Sequence, residues 1–274
     1  MQFKTSDGLS LHVEDAGSGK VLLCLPGLTR NTRDFDFVAP HLGDYRVIRM
    51  DYRGRGQSER DPEFANYNVV REARDVVELL DHLGIGKACV LGTSRGGLVA
   101  MALAALFGDR LGGAVLNDVG PVIAPEGIAF IMTYVGKRPP YRTYDEAAAA
   151  LERIYSRSFT GVSPEVWQRM ARVQYDETPD GLDLRYDPKL RDALLAQAEA
   201  GPAPDLWPWF EALKGRPVGV IRGANSDLLS PATLAEMQAR FPEMIVETVP
   251  GRGHVPFLDE PESLRVIRAV MERT

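Results

Sequence analysis

The sequence predicts an α/β fold: a mostly parallel sheet with helices on both faces and a helical lid inserted into it. Three observations predict it. Short apolar runs, "VLLCLPG", "YRVIRMD", "ACVLG", "GGAVLND", "VGVIRG" and "IVETVPG", recur along the chain, as strands buried on both faces do. Between them lie stretches of helical periodicity such as "VVREARDVVELLDHLG" and "GGLVAMALAALFG", and strands alternating with helices imply βαβ units. One interval breaks the alternation: the roughly 90 residues from Gly120 to Leu213 carry helical patterns and no convincing strand.

Residues 2 to 15 alternate polar and apolar around Ser6-Asp7-Gly8, which suggests an opening antiparallel hairpin or meander. The alternation that follows assigns residues 1–119 and 214–274 to a core domain and 120–213 to the lid. Within the lid, "YDEAAAALERIY" is an amphipathic helix, and Ser163-Pro164 reads as a helix start with a capping hydroxyl and proline in the first turn. No internal repeat or low-complexity segment is visible.

A chain of 274 residues is expected to form one globular body carrying an insertion, burying roughly three quarters of its unfolded surface. Lys and Arg total 32 against 38 Asp and Glu, so nucleic acid is not an expected partner. The longest apolar run, Gly96 to Gly108, falls short of the ~18 residues that cross a bilayer, and "MQFKTSDGLSLH" has no signal-peptide core. The expectation is a cytoplasmic protein, monomer or homodimer, with no membrane partner. Cys24 and Cys89 lie inside apolar runs and read as small buried hydrophobes. With four scattered His and no Cys-x-x-Cys or His-Glu-x-x-His, no metal site is expected.

The chemistry centres on Gly92-Thr93-Ser94-Arg95-Gly96. It follows the apolar "ACVL" and precedes a helix, the strand–turn–helix setting that a nucleophile elbow requires. A sharp, strained turn leaves no room for side chains two residues either side of the serine, hence glycine at both places. A serine hydroxyl needs a base within reach and a third group to orient that base. His254, in the glycine-rich "VPGRGHVPF" after the last strand, is well placed; His12, His41 and His82 lie in or at the ends of regular segments. For the orienting carboxylate, Asp227 in "VIRGANSDLLSP" is preferred, giving the chain order Ser, Asp, His. The alternative is Asp118 in "AVLNDVGP", which also has an ordinary reading as a turn-forming side chain. The oxyanion hole needs two backbone N–H groups: that of Arg95 at the start of the elbow helix, and that of Leu28 in "CLPGLTRN", where Gly27 lets the chain turn.

These segments together resemble the α/β-hydrolase superfamily, in its lid-bearing esterase, lactonase and carbon–carbon hydrolase branch. "LPGLTRN" looks like the oxyanion loop, "DYRGRGQS" the family's Asp-x-Arg-Gly-x-Gly-x-Ser stretch, "GTSRGG" the elbow, "GANSDLLSP" the acid loop and "GRGHVPFLDEPE" the histidine loop. The resemblance implies an eight-stranded sheet and hydrolysis through a Ser94, His254, Asp227 triad without a cofactor. Two departures stand out: Pro26 replaces a common histidine in the oxyanion loop, and Arg95 follows the nucleophile where relatives usually have an uncharged residue. The Arg95 guanidinium has two expected partners, a lid carboxylate or an acidic substrate. Ser94 disfavours the branches that use an aspartate nucleophile. "AGSGKV" fails as a phosphate loop, since Lys20 precedes Val21 and a strand follows.

The expected substrate is a small-molecule ester or lactone of small to medium size, bound by Phe130, Tyr134, Trp167 and Trp207 of the lid and by Phe257. Activity should fall on acidification through the ordinary histidine range of ~6 to 7, because the base must be neutral. The alternatives are carbon–carbon bond hydrolysis of a vinylogous diketone and a low-turnover small-molecule receptor on the same fold.

Overall fold

Along the central strands, alternate side chains enter opposite cores, which is why these strands are apolar throughout rather than every second residue. The computed structural model describes residues 1–274. A hairpin of β1 (Gln2–Lys4) and β2 (Ser10–Ala16) opens the chain, followed by β3 (Val21–Leu25) and β4 (Arg46–Met50). Then come α1 (Val69–His82), β5 (Ala88–Thr93), α2 (Arg95–Leu106) and β6 (Leu111–Asn117).

The inserted segment holds α3 (Pro125–Tyr134), α4 (Tyr144–Tyr155), α5 (Pro164–Gln174), β7 (Tyr175–Thr178), β8 (Gly181–Leu184) and α6 (Leu190–Glu199). After α7 (Trp207–Glu211) the chain returns to the sheet with β9 (Val218–Gly223), α8 (Pro231–Arg240), β10 (Ile245–Val249) and α9 (Pro261–Arg273). The eight-stranded sheet has the order β1-β2-β4-β3-β5-β6-β9-β10. Only the β1–β2 and β2–β4 pairs are antiparallel; from β4 to β10 every pair is parallel.

Leu23, Leu25 and Val90 point into the larger core with residues of α1, α2 and α8. Leu22, Cys24, Cys89 and Leu91 point the other way, onto α9. Both cysteines are fully buried, and burial pushes each thiol up to about 12. No helix is long and apolar enough to cross a membrane.

The structure departs from the sequence reading of the inserted segment in three respects. It contains a small antiparallel hairpin, β7–β8, whose Thr178-Pro179-Asp180-Gly181 turn carries a recognisable signal, but its strands of four residues each are too short to show an apolar period. The helix α5 does begin at Pro164, yet the Ser163 hydroxyl makes no capping bond. Finally, the end of the stretch read as lid reaches the sheet's core: Phe210 and Leu213 are buried in the larger core, with Trp207 and Trp209 packed against it.

Candidate active site

Ser94 stands between β5 and α2 with φ 50° and ψ −111°, a backbone conformation that strains any residue with a side chain. The surroundings enforce it. A side-chain carbon on Gly96 would sit 2.0 Å from Leu25 O, and one on Gly92 would sit 2.4 Å from the backbone of Gly96. Glycine at both positions thus lets β5, α2 and β3 approach closely enough to push the serine outward. Ser94 N–H donates to Asn117 O at 2.9 Å, tying the turn to the end of β6.

His254 Nε2 lies 2.9 Å from Ser94 Oγ. The loop bearing the imidazole is pinned from below: Glu260 accepts from the Phe257 and Leu258 amides and from Arg252 Nε, while Asn117 Nδ2 donates to Pro256 O.

The other ring nitrogen, Nδ1, lies 2.7 Å from Asp118 Oδ2. This corrects the preference for Asp227. Both carboxylates follow neighbouring strands that pair at Asn117 and Ile221, so both reach the same sheet edge, but only Asp118 takes the imidazole's hydrogen bond. Asp118 sits at φ 57° and is fully buried. Its Oδ1 accepts from Gly223 N–H at 2.8 Å, and its Oδ2 also accepts from Ser226 Oγ at 2.6 Å. Asp227 is exposed; it borders a small cavity that His254 also touches, without taking the imidazole's hydrogen bond. In this loop it is Ser226 that turns inward. Its hydroxyl accepts from the Leu228 and Leu229 amides, so its single proton is left for Asp118. Nothing in the sequence distinguished Ser226 from any other loop serine.

Leu28 lies in the loop after β3 and Arg95 is the first residue of α2, whose N–H has no partner within the helix. The Arg95 side chain contacts neither lid nor cavity, unlike either expectation. Its Nε donates to Glu72 of α1 at 2.6 Å and its Nη2 to Tyr67 O. The other oxygen of Glu72 lies 2.9 Å from Arg55 Nη2, and Arg55 Nε donates to Leu28 O at 3.0 Å. One buried carboxylate therefore links the loop carrying Leu28 to the helix carrying Arg95. Burial works against the Arg55 charge and moves it down to about 10, with Glu72 opposing.

Ser94 and His254 open on a cavity of about 400 Å³. Phe130, Tyr134 and Phe257 line it. Trp167 and Trp207 do not. Trp167 is 2% exposed and stacks on Tyr155 inside the inserted segment's own core, and Trp207 packs edge-on against Phe210 beneath the Arg240 guanidinium. Amphipathic helices place aromatics on both their inner faces, and the sequence does not say which face meets the cavity. Sequence reasoning also missed Arg30 and Asp34, which line the cavity. Arg30 Nε donates to Asp34 Oδ2 at 2.7 Å. Burial pushes the Asp34 carboxyl up against the opposing pull of Arg30, and Asp34 in turn holds the guanidinium above its usual range despite burial.

Comparison with known proteins agrees with this architecture. A protein of Cupriavidus necator named 3-hydroxybutyrate-oligomer hydrolase is 41% identical over 261 residues, 92% of this chain and 88% of that one. The 2-(acetamidomethylene)succinate hydrolase of Mesorhizobium japonicum is 28% identical, over 90% of this chain and 85% of its own. A crystal structure of an alpha/beta hydrolase from Novosphingobium aromaticivorans superposes with a TM-score of 0.93 at 39% identity, covering 100% of this chain and 98% of that one. The model of the alpha/beta hydrolase family matches residues 22–265. With that match spanning most of the fold just described, the chain belongs to the alpha/beta hydrolase family.

Proposed function

We propose that this protein is a serine ester hydrolase for small to medium acyl substrates, lactones included, working through Ser94, His254 and Asp118. The observation that carries the reading is the continuous run of hydrogen bonds from Ser94 Oγ through both nitrogens of His254 to Asp118, at 2.9 and 2.7 Å, beside a largely apolar cavity.

In this mechanism Ser94 Oγ attacks the ester carbonyl as His254 Nε2 takes its proton, and the Leu28 and Arg95 amides stabilise the oxyanion. Asp118 holds Nδ1–H and steadies the imidazolium. The carbonyl re-forms, the ester C–O bond breaks, and His254 gives its proton to the departing alcohol. Water, deprotonated by the same nitrogen, then attacks the acyl-enzyme; the acid leaves and Ser94 recovers its proton. The inserted segment, residues 120 to about 206, acts as the cap that shapes the acyl pocket. The name of the Cupriavidus necator relative supports the ester reading, and oligoesters of short hydroxy acids are the natural substrates to try first.

A fluorophosphonate probe should label the wild type once per chain and leave Ser94→Ala unlabelled, and the same substitution should abolish turnover of para-nitrophenyl butyrate. Ester turnover persisting in Ser94→Ala, or turnover of a vinylogous diketone in place of esters, would overturn the proposal.

A further inference from the structure

The cavity holds a polar pair that the mechanism above does not use. Asp34 spends one carboxylate oxygen on Arg30 Nε, while its other oxygen, Oδ1, is shielded from solvent and has no partner. A buried carboxylate oxygen without a donor is costly, of the kind that occurs where a ligand supplies the missing hydrogen bond. On Arg30, the only side-chain hydrogen bond runs from Nε, so the Nη fork remains available. The pair therefore presents an acceptor beside a fork of donors, which is the complement of a hydroxyl group, donor and acceptor at once.

Its position says which part of the substrate it meets. A side-chain carbon on Gly27 would lie 3.1 Å from Arg30 Cγ and 3.9 Å from Ser94 Cβ, which puts those two atoms within about 7 Å of each other. Arg30 is also two residues from Leu28, whose amide faces the reacting carbonyl in the proposed mechanism. Arg30 and Asp34 line the same cavity as Ser94 and His254, so an acyl chain that fills it meets the pair a few bonds from the carbonyl. Across a separation of up to about 7 Å, a hydroxyl one carbon beyond the carbonyl's neighbour extends further toward the pair than one on the neighbour itself.

We infer that Arg30 and Asp34 form a specificity site for a 3-hydroxyacyl group, with the substrate hydroxyl donating to Asp34 Oδ1 and accepting from the Arg30 fork. The inference rests on the ester-hydrolase reading and names its substrate class: esters whose acyl part carries a hydroxyl two carbons from the carbonyl. Such a site also sets a direction on an oligoester, because the unit whose free hydroxyl reaches Asp34 is the one released as the acyl-enzyme.

The test compares kcat/KM for para-nitrophenyl 3-hydroxybutyrate and para-nitrophenyl butyrate, which differ only in that hydroxyl. The wild type should prefer the hydroxylated ester about 10- to 100-fold, the worth of one hydrogen bond to a charged acceptor. In Asp34→Ala, and in Asp34→Asn should the alanine variant fail to fold, the ratio should fall to within about threefold of one; Arg30→Met should lower it in the same direction. A purely structural role for the pair would depress both esters together and leave the ratio intact, which overturns the assignment. Equal turnover of the two esters by a wild type whose Ser94 takes the fluorophosphonate also overturns it, while leaving the ester reading standing. Turnover of neither ester, with Ser94 unlabelled, brings down both.

Discussion

Replacing Asp118 with asparagine removes one acceptor from a carboxylate that serves three donors: Gly223 N–H, Ser226 O–H and His254 Nδ1. Asparagine has one oxygen and one NH₂. If the NH₂ takes the place of Oδ2, it meets the imidazole and a serine whose lone pairs already serve two amides. His254 must then present a bare Nδ1, which moves its proton to Nε2 and disables the base toward Ser94. If the NH₂ instead takes the place of Oδ1, two N–H groups confront each other at Gly223, at a cost of about 1–3 kcal/mol of stability. The first arrangement governs activity, and the comparable change in a serine protease triad lowers kcat about 10⁴-fold. The expected loss in kcat/KM for Asp118→Asn is about 10³- to 10⁴-fold, or about 4 to 5.5 kcal/mol of transition-state stabilisation. Asp227→Asn should stay within about threefold of wild type, as an exposed side chain without the imidazole contact. Both variants are to be assayed on para-nitrophenyl butyrate after thermal melting confirms their folding. A folded Asp227→Asn that loses more activity than Asp118→Asn would refute the reasoning.

Further outcomes follow from other contacts. Gly96→Ala places a carbon 2.0 Å from Leu25 O, and the overpacking cost of about 1–3 kcal/mol or more should appear as a lowered melting temperature with loss of fluorophosphonate labelling; a folded, fully labelled variant would contradict it. Glu72→Ala strands the guanidinium groups of Arg55 and Arg95 in the interior, so about 3–5 kcal/mol of stability should be lost. At roughly 2–4 °C per kcal/mol that is a fall on the order of 10 °C in melting temperature, read by calorimetry. With both thiols buried and raised to about 12, Ellman's reagent at pH ~8 should find no reactive cysteine in the native protein and two after denaturation. Rapid native reaction would show that the sheet opens locally.

The elbow was legible because its chemistry forces composition: a positive φ at Ser94 and backbone packed against Gly92 and Gly96 leave few residue choices. The alternation of apolar runs and helical periods likewise reported the sheet and its two covered faces. What the sequence concealed was direction. Asp118 and Asp227 both close a strand at the same edge, and only the inward turn of Ser226 with the outward turn of Asp227 separates them. The same limit applies to Trp167 and Trp207, expected to bind substrate but packed away from the cavity. Arg95 was noticed as unusual, yet its partner Glu72 lies 23 residues earlier on another helix, a pairing no local pattern encodes.

Ser94 and Asp118, the proposed nucleophile and acid, leave the sheet from adjacent parallel strands, and the Ser94 amide is bonded to the residue immediately before Asp118. Two of the three proposed reacting groups are thus spaced by the ladder itself. The third arrives on a tether held by Glu260 and Asn117. Wear on this catalyst, whether by heat, solvent or drifting sequence, should therefore register first as a misplaced imidazole, with the serine and the carboxylate still at their proper separation.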